Sequence, residues 1–385
     1  MFTQMTKESL IESIEKHFGS IPDKRVVTRS CHKLVDIIAI AILGILCGAD
    51  GWVAIETYGK AKEQWLSSFL ELPHGIPSHD TFGRVFRELD PEILEKNFQA
   101  WVEVIAQELE IEVIAIDGKN LKGSYDREKS LKSLTMVSAW SSSHRLVLGQ
   151  VAVKQKSNEI TAIPILLEQL DLNGGIITID AMGTQTAIAK QIKQAGANYI
   201  LTLKRNHPSL AKEAHDWFEN NQDQLNNHEM IASQSSCEAG HHRLEKRQFW
   251  QVPVQEVFSQ AKIAQWSGLQ TLVIEQSSRT LWNKTTHSTR FFLSSLKPEF
   301  PNFPTSIRSH WGIENQLHWC LDVVFAEDNS RIRKDHAPRN MSLLKRLALN
   351  LLRRDSSKGS LKMKRYRAGL DNAFLFHILS HSGMF

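Results

Sequence analysis

Ile111-Glu-Val-Ile-Ala-Ile-Asp-Gly118 and Ile176-Ile-Thr-Ile-Asp-Ala-Met-Gly183 are the two stretches that decide the fold of this 385-residue chain. A continuous run of branched apolar residues without helical spacing is typical of a buried central strand. Each run ends at an aspartate, Asp117 in the first and Asp180 in the second. A carboxylate at the end of a buried strand costs free energy unless a cation or a hydrogen-bond donor meets it, so both aspartates are candidate site residues.

The sequence around these two runs alternates between strand and helix signals. Ser133–Ser141 and Arg145–Lys154 predict a hairpin, Glu159–Leu170 and Thr186–Ala195 predict helices, and Tyr199–Leu203 predicts a further strand. Strands that are joined by helices pair in parallel, and the ligands of such sheets bind beyond the carboxyl ends of the strands. The two aspartates are therefore expected at one edge of one sheet.

The flanking regions have different patterns. The N-terminal region shows helical spacing and N-cap signals, whereas the region after the last predicted sheet strand contains three runs typical of antiparallel strands, Leu244–Val252, Leu269–Gln276 and Thr289–Leu296. The predicted domains are a helical domain (1–108), a first part of the sheet core (109–205), a β-rich insertion (206–304), C-terminal core helices (305–355) and a basic tail (356–385).

A third acid, Glu314, lies in the aromatic segment His310-Trp-Gly-Ile-Glu-Asn-Gln-Leu-His-Trp319, which is predicted to be helical. Together with the two strand-end aspartates it would make an all-oxygen pocket, which suits Mg²⁺ or Mn²⁺ and not zinc. A pair of such ions activates water or a 3′-hydroxyl against a phosphodiester. In a regular helix, residues four positions apart share a face, so His310, Glu314 and His318 are expected to line up.

Two alternatives remain open from the residues alone. The His/Glu/His face would suit zinc, although the chain has no zinc-protease HExxH pattern and zinc would leave the two aspartates unexplained. Three further acids near Glu314 compete with it for the third position, namely Asp322, Glu327 and Asp328.

The charge of the chain is unevenly placed. The net charge is +4, but residues 331–367 contain thirteen Lys or Arg and two Asp, which gives this segment a net charge of +11. Such asymmetry indicates a polyanion, with nucleic acid favoured over a merely solvated tail. Candidate contacts to DNA phosphates and bases are Lys119, Lys122, Lys204, Arg205, Arg308, His310, Trp311, Asn315, His318 and Trp319.

Composition limits the class of protein. Cys31, Cys47, Cys237 and Cys320 have no metal-type spacing and the N-terminus has no signal-peptide pattern, which together predict reduced thiols in a cytoplasmic protein. The most apolar stretch, Leu34–Cys47, is shorter than the roughly 20 residues that span a bilayer. It is expected to be a buried core helix, and no membrane contact is predicted.

Three motifs resemble a known family, and the third of them is long enough to be specific. Ala115–Lys119, Thr178–Gln185 and Arg308–Asp328 resemble the DDE transposases of the H-repeat-associated insertion-sequence family, and Arg25–Trp101 resembles the helical domain associated with that family. The resemblance spans nearly the whole chain. It implies an α/β fold in which an RNase H-like mixed sheet carries a β-rich insertion and follows an all-α N-terminal domain.

The resemblance also implies an activity. Members of this family cleave DNA at insertion-sequence ends and join it to a target by strand transfer, with Mg²⁺ or Mn²⁺ as cofactor. Carried over to this chain, the catalytic and metal-binding triad is Asp117, Asp180 and Glu314, holding two ions. The implied partners are double-stranded DNA and a second copy of the chain.

One departure from related enzymes leaves the functional prediction with alternatives. Cut-and-paste relatives carry a Tyr-x2-Arg-x3-Glu-x6-Lys signature, and this chain has Ile307, His310 and Leu321 at the Tyr, Arg and Lys positions. The family also contains immobile remnants. The alternative predictions are a metal-dependent DNA endonuclease without strand transfer, and an inactive or repurposed DNA-binding remnant.

Overall fold

The computed structural model describes residues 14–380 except 26–29, 107–112, 126–129, 131, 155–156, 224, 226–230, 241–242 and 283. The chain divides into two compact units. The first unit comprises Met1–Ile111, Gly118–Lys156 and Glu314–Phe385, and the second unit comprises Glu112–Asp117 and Ser157–Ile313. The domain boundaries expected from the sequence stay a prediction.

The N-terminal region is helical and the middle of the chain alternates. The N-terminal helices are α1 (Leu34–Leu46), α2 (Trp52–Ala61), α3 (Glu63–Leu66), α4 (His79–Glu88) and α5 (Pro91–Ala106). The middle of the chain contains β1 (Val113–Asn120), β2 (Thr135–Ser141), β3 (Leu146–Ala152), α6 (Glu159–Glu168), β4 (Ile176–Ile179), α7 (Thr186–Gln194) and β5 (Asn198–Leu203).

The remaining chain is a β-rich stretch followed by helices. The β-rich stretch contains α8 (Pro208–Asn221), β6 (Ala232–Gly240), β7 (Arg243–Pro253), α9 (Gln260–Ile263), β8 (Thr271–Leu281) and β9 (Lys284–Ser294). The C-terminal helices are α10 (Phe303–Gly312), a π-helical segment (Ile313–His318), α11 (Trp319–Val323), α12 (Ala337–Arg354), α13 (Leu361–Leu370) and α14 (Asn372–Ser380).

The sheet of the second unit is mixed. β1 pairs in parallel with β4, and β4 pairs in parallel with β5. β5 then pairs antiparallel with β9, and the sheet continues through β8 and β7 to β6. The helices α6 and α7 make the parallel crossovers that the sequence predicted, so the α/β class with a mixed sheet and a β-rich insertion is confirmed.

One face of this sheet is covered by α10. The helix begins at Phe303, two residues before the start expected from the sequence, and Pro304 stands in its first turn, where the missing N–H costs nothing. Its apolar side packs on residues of β1, β4, β5, β7, β8 and β9. The resulting core is formed by Val113, Ile176, Ile200, Phe249, Val273, Phe292, Phe303 and Ile307. Burying each of these side chains contributes about 1.5–3 kcal/mol, which fixes α10 on the sheet.

The core of the first unit is built around α12, whose apolar side chains are almost all buried. Polar side chains of this helix also bond to backbone groups of neighbouring elements. The amide nitrogen of Asn340 donates to the carbonyl oxygens of Phe86 and Leu89 near the end of α4. Asn350 bonds to both the N–H and the carbonyl of Val147 in β3. These bonds satisfy buried backbone groups and fix the helix against α4 and β3.

Several elements were not predicted from the sequence. α8 buries only the narrow stripe Leu210, Ala214 and Phe218, so its sequence looks merely polar. β6 is rich in Ser and Gln and lacks apolar alternation, yet it forms because β7 supplies a nine-residue antiparallel partner. The segment expected to be a basic tail folds into α13 and α14, since Phe374, Leu375, Ile378 and Leu379 are buried.

The structure also bears on the expectations for the cysteines and for the most apolar stretch of the chain. The four cysteines are free, as predicted. α1 is the buried core helix that the sequence indicated, with Asp36 accepting a hydrogen bond from the backbone N–H of Leu72. Among the described residues, no helix combines the length and the apolar character that crossing a membrane requires.

Candidate metal and DNA-binding site

The register of the parallel strands brings the two aspartates to the same level of the sheet. Val113 pairs with Ile176 and Ile116 pairs with Ile179, so Asp117 and Asp180 are the next residues along the two neighbouring strands. Both are partly buried. The sequence prediction that they meet at one edge of one sheet is therefore supported by the register within the second unit.

The carboxylate of Asp180 is held by the turn that follows β4. Its Oδ1 accepts hydrogen bonds from the backbone N–H groups of Met182 at 3.0 Å and Gly183 at 3.3 Å. The turn is tight, because a Cβ at Gly183 would lie 2.3 Å from Cγ2 of Ile179. The glycine thus allows the backbone to fold back onto Asp180, which orients this carboxylate before any ligand binds.

His310 reaches the same strand from α10. Its Nδ1 lies 3.0 Å from Oγ1 of Thr178, two residues before Asp180. Burial lowers the pKa of His310 to about 4, and the negative charge of Asp180 opposes that shift only in part. Because His310 is neutral at pH 7, we interpret it as a hydrogen-bonding support of β4 and not as a cation for DNA phosphates.

A further carboxylate that the sequence did not single out lies near Asp180. Glu159 is the first residue of α6 and is partly buried. Burial raises the pKa of Glu159, and the charge of Asp180 raises it further. Nothing in the sequence distinguishes Glu159 from an ordinary glutamate in the first turn of a helix. Its proximity to Asp180 depends on the position of α6 against the sheet.

Glu314 belongs to the first unit, where it is an exposed residue of the π-helical segment Ile313–His318. The expected alignment of Glu314 with His318 assumed a regular α-helix, whereas this segment is π-helical, and the alignment stays a prediction. A π-helix is closed by hydrogen bonds between residues five positions apart instead of four. Such segments are rare and are frequent at functional sites.

The exposed aromatic and polar residues of this region are candidates for DNA contact. Trp311 is 44% exposed and Trp319 is 56% exposed, so core packing does not account for either side chain. Asn315 is also exposed, whereas His318 is partly buried.

The chemistry of the two aspartates fits a hard cation. Asp117 and Asp180 offer carboxylate oxygens, which Mg²⁺ and Mn²⁺ prefer. Within the part of the chain that the structure describes, no three His, Cys, Asp or Glu side chains are arranged to hold a metal ion. This applies to the zinc alternative with His310, Glu314 and His318 as well as to the triad, so Asp117, Asp180 and Glu314 as metal ligands stay a prediction.

Lys119 lies in a buried cluster of carboxylates in the first unit. Its Nζ is 2.7 Å from Oδ1 of Asp322, 3.2 Å from Oδ1 of Asp328 and 3.9 Å from Oε2 of Glu327. Its side chain is only 7% exposed. A cation that is buried and compensated by carboxylates is a poor contact for DNA, so we interpret Lys119 as a structural residue.

The same cluster contains the three acids that are alternatives to Glu314 for the third metal-binding position. Burial raises the pKa of Asp322, and Lys119 opposes the shift. Burial would also raise the pKa of Asp328, but hydrogen bonds from Lys122 and Lys119 outweigh it and the pKa is lowered. Glu327 lies 2.9 Å from Nη1 of Arg346. Each of the three acids has an internal cationic partner, which favours Glu314 as the acid left for a ligand.

The other basic candidates differ in their surroundings. Lys204 and Arg205 are exposed directly after β5. Lys122 is exposed and lies 2.6 Å from Asp328. Arg308 lies 2.9 Å from Glu238 of β6. The guanidinium of Arg290 stacks 5.6 Å from the ring centre of Trp311.

Comparison with known proteins identifies the class to which this fold and site belong. Residues 108–351 match the family model described as the transposase DDE domain, and residues 15–102 match the model described as DDE_Tnp_1-associated. The chain belongs to the DDE transposase family. DDE domains are RNase H-like and use divalent metal ions, so the fold class expected from the resemblance is confirmed.

Within this family the relatives include H-repeat-associated proteins. The chain is 38% identical to the putative transposase YncI of Escherichia coli O157:H7, over 96% of this chain and 95% of that protein. It is 35% identical to the H repeat-associated putative transposase YhhI of Escherichia coli K12, over 97% of this chain and 99% of that protein. The H-repeat resemblance is thereby confirmed.

A solved transposase structure is distantly similar. It is a chain of the piggyBac transposase synaptic complex with hairpin DNA, determined by cryo-EM, at 14% identity and a TM-score of 0.39, over 96% of this chain and 79% of that chain. A likeness at this level supports no detailed comparison of residues.

Proposed function

We propose that this protein cleaves DNA at the ends of an insertion sequence and transfers the freed strand to target DNA, with Mg²⁺ or Mn²⁺ bound by Asp117, Asp180 and Glu314. The observation that carries the proposal is the parallel register of β1 and β4, in which Asp117 and Asp180 each directly follow the last paired residues, Ile116 and Ile179. Membership of the DDE transposase family supports the reaction class.

Some residues would bind the metal ions, and others would orient the metal-binding carboxylates. Asp117 and Asp180 would each supply carboxylate oxygens to the ions, and Glu314 the third carboxylate. The N–H groups of Met182 and Gly183 fix the carboxylate of Asp180 through its Oδ1. Neutral His310 supports the end of β4 through Thr178 without placing a positive charge beside the ligands. When bound, a pair of divalent ions lowers the pKa of water or a 3′-hydroxyl and stabilises the leaving oxygen.

The DNA partner would be held by exposed groups. We assign phosphate contacts to Lys122, Lys204, Arg205 and Arg308, and contacts to bases or sugars to Trp311, Asn315, His318 and Trp319. Exposed aromatic rings stack on bases, and flexible basic side chains follow the phosphates. Two copies of the chain would hold two element ends, and the mass of the complex with end DNA tests this.

Removal of one metal-binding carboxylate tests the proposal. The substrate is a duplex with the terminal inverted repeat of the element, incubated with Mg²⁺. Asp180→Asn keeps the size of the side chain and the bonds to its Oδ1, but it removes the charge that attracts a divalent ion. We expect cleavage to fall by about two orders of magnitude or more, because the metal supplies several kcal/mol of transition-state stabilisation.

The matched control is Asp216→Asn, an exposed aspartate of α8 in the same unit, which should leave cleavage unchanged. Equal cleavage by the wild-type protein and Asp180→Asn would contradict the proposed site. A protein that nicks the ends but joins none of them to target DNA would be a nuclease without strand transfer.

A further inference from the structure

An ion-paired arginine cluster on the second unit has features of a phosphate-binding site. Arg308 of α10 donates from Nη2 to Oε2 of Glu238 at 3.0 Å. Nη1 of Arg247 in β7 lies 3.6 Å from the same oxygen, beyond hydrogen-bonding distance. One carboxylate of β6 is thus shared by two guanidinium groups.

The two arginines still have unused donors. Nη1 of Arg308 and Nη1 of Arg247 are shielded from solvent and donate no hydrogen bond to any described residue. The side chain of Arg247 is only 9% exposed, so leaving this donor unpaired is costly. A planar carboxylate with two oxygens does not satisfy both guanidinium groups together.

Two further carboxylates, Glu275 and Glu245, pair with Arg247. Oε1 of Glu275, which is 1% exposed, lies 3.5 Å from Nε of Arg247 and 2.9 Å from Nη2 of Arg290. Glu245 also pairs with Arg247 from the neighbouring position of the same strand. Glu275 is buried and Glu245 is 14% exposed, so both are less accessible to solvent than Glu238.

Glu238 differs from Glu275 and Glu245 because its side chain is exposed enough to move away from the arginines. It is 43% exposed, and its strand β6 is the terminal strand of the sheet, paired on one side with β7. Arg308 is 39% exposed. An ion pair with both partners this exposed is weak, because water competes with it and salt screens it.

We propose that Arg247 and Arg308 form a site for a DNA backbone phosphate, and that the Glu238 carboxylate occupies this site until DNA displaces it. A phosphodiester carries the same single negative charge as the carboxylate. Its two non-bridging oxygens, arranged tetrahedrally around phosphorus, can each accept hydrogen bonds from one guanidinium group. Trp311, beside Arg290, lies on the same helix as Arg308 and would contact the adjacent sugar or base. This inference rests on the proposed action on DNA.

The test measures DNA binding and not cleavage. Fluorescence anisotropy with a labelled DNA duplex, at fixed salt and without divalent metal, gives the affinity of each variant. Glu238→Gln unmasks the arginines and should bind DNA about threefold or more tightly than the wild type. Arg308→Gln should bind DNA about threefold or more weakly, with a smaller dependence of the affinity on salt.

The double variant Arg308→Gln/Glu238→Gln tests whether the effect of Glu238 on DNA affinity depends on Arg308. In an Arg308→Gln background, adding Glu238→Gln should increase the DNA affinity little, because the phosphate site has already lost one of its two guanidinium groups. Glu213→Gln is the control, since it removes the same charge from an exposed glutamate that pairs with Lys262 in the same unit. Circular dichroism melting verifies folding, and Arg308→Lys replaces Arg308→Gln if the latter unfolds.

Three results would overturn the inference: the same affinity change in Glu238→Gln and Glu213→Gln, a full gain that persists in the Arg308→Gln background, or no DNA binding by any variant. If no protein cleaves DNA but the Glu238 gain depends on Arg308, the proposed function fails while the phosphate site stands.

Discussion

At the scale of single residues, the site depends on charges that burial and hydrogen bonds adjust. Asp180 is oriented by two backbone N–H groups, and His310 is kept neutral by burial. The sequence identified both residues but assigned His310 to DNA. It could not show that α10 packs His310 against Thr178, because 132 residues separate the two.

The low pKa of His310 predicts a dependence of stability on pH. The ordinary pKa is 6.5, and the folded-state pKa is about 4. The unfolded chain therefore binds more protons between these values, so the free energy of unfolding should fall as the pH is lowered from 6.5 towards 4 and should level off below that. Urea unfolding at several pH values in this window measures the slope.

His310→Asn is the test variant, since asparagine is uncharged throughout and can still bond to Thr178. It should show a shallower decline in stability over this pH window than the wild type. His287→Asn, at an exposed position of β9, is the control and should leave the slope unchanged. An identical slope in the wild type and in His310→Asn would contradict the assignment.

At the scale of elements, a buried ionic cluster ties together segments of the first unit. Lys119 follows Asp117 by two residues in β1, and its carboxylate partners Asp322 and Asp328 follow the π-helical segment that carries Glu314. The cluster therefore fixes the end of β1 against the chain that follows Glu314. The apolar run and the aspartate of β1 are visible in the sequence, but the burial of Lys119 is not.

Loss of Lys119 should destabilise the protein. Lys119→Met removes the shared cation and leaves three carboxylates close to one another in a poorly solvated place. We expect the free energy of unfolding to fall by about 3 kcal/mol, the usual scale for breaking a buried ion pair from one side. Denaturant unfolding, with unchanged slope against denaturant concentration, measures this loss.

Lys122→Met provides the comparison, because Lys122 pairs with Asp328 as well but is largely exposed. Little change in stability is expected for it. If both methionine variants lose the same stability, the buried cluster does not have the role assigned to Lys119.

At the scale of the whole molecule, the basic C-terminal segment is less available than its sequence indicates. Of its thirteen cations, five are exposed, namely Arg331, Lys334, Lys358, Lys362 and Arg367. Lys345, Arg346, Lys364 and Arg365 are buried. Arg339 pairs with Glu95, and burial lowers the pKa of Lys345. A net charge of +11 along the sequence is therefore not a surface charge of that size.

The dependence of DNA affinity on salt should reflect the exposed cations. Over about 50–200 mM salt, each phosphate contact contributes roughly 0.9 to the slope of log affinity against log salt. Replacing the exposed Lys358 and Lys362 by Gln should reduce the slope by up to about two units if both contact phosphates. Fluorescence anisotropy at several salt concentrations measures it.

Lys345→Met is the contrasting variant, since its buried amine cannot reach DNA, and the salt slope should stay the same. A reduced slope in Lys345→Met, or an affinity that does not depend on salt at all, would contradict this distribution of charges.

The sequence by itself determined the class and the two aspartates. Apolar runs that end in an acid are local features, and parallel pairing follows from helices between strands, so β1, β4 and their strand-end acids were predictable. The tertiary structure alone decided which charges are used internally. The cluster around Lys119, the arginines that share Glu238 and the burial of α12 join residues far apart in the chain. Their partners depend on packing, which composition and spacing do not encode.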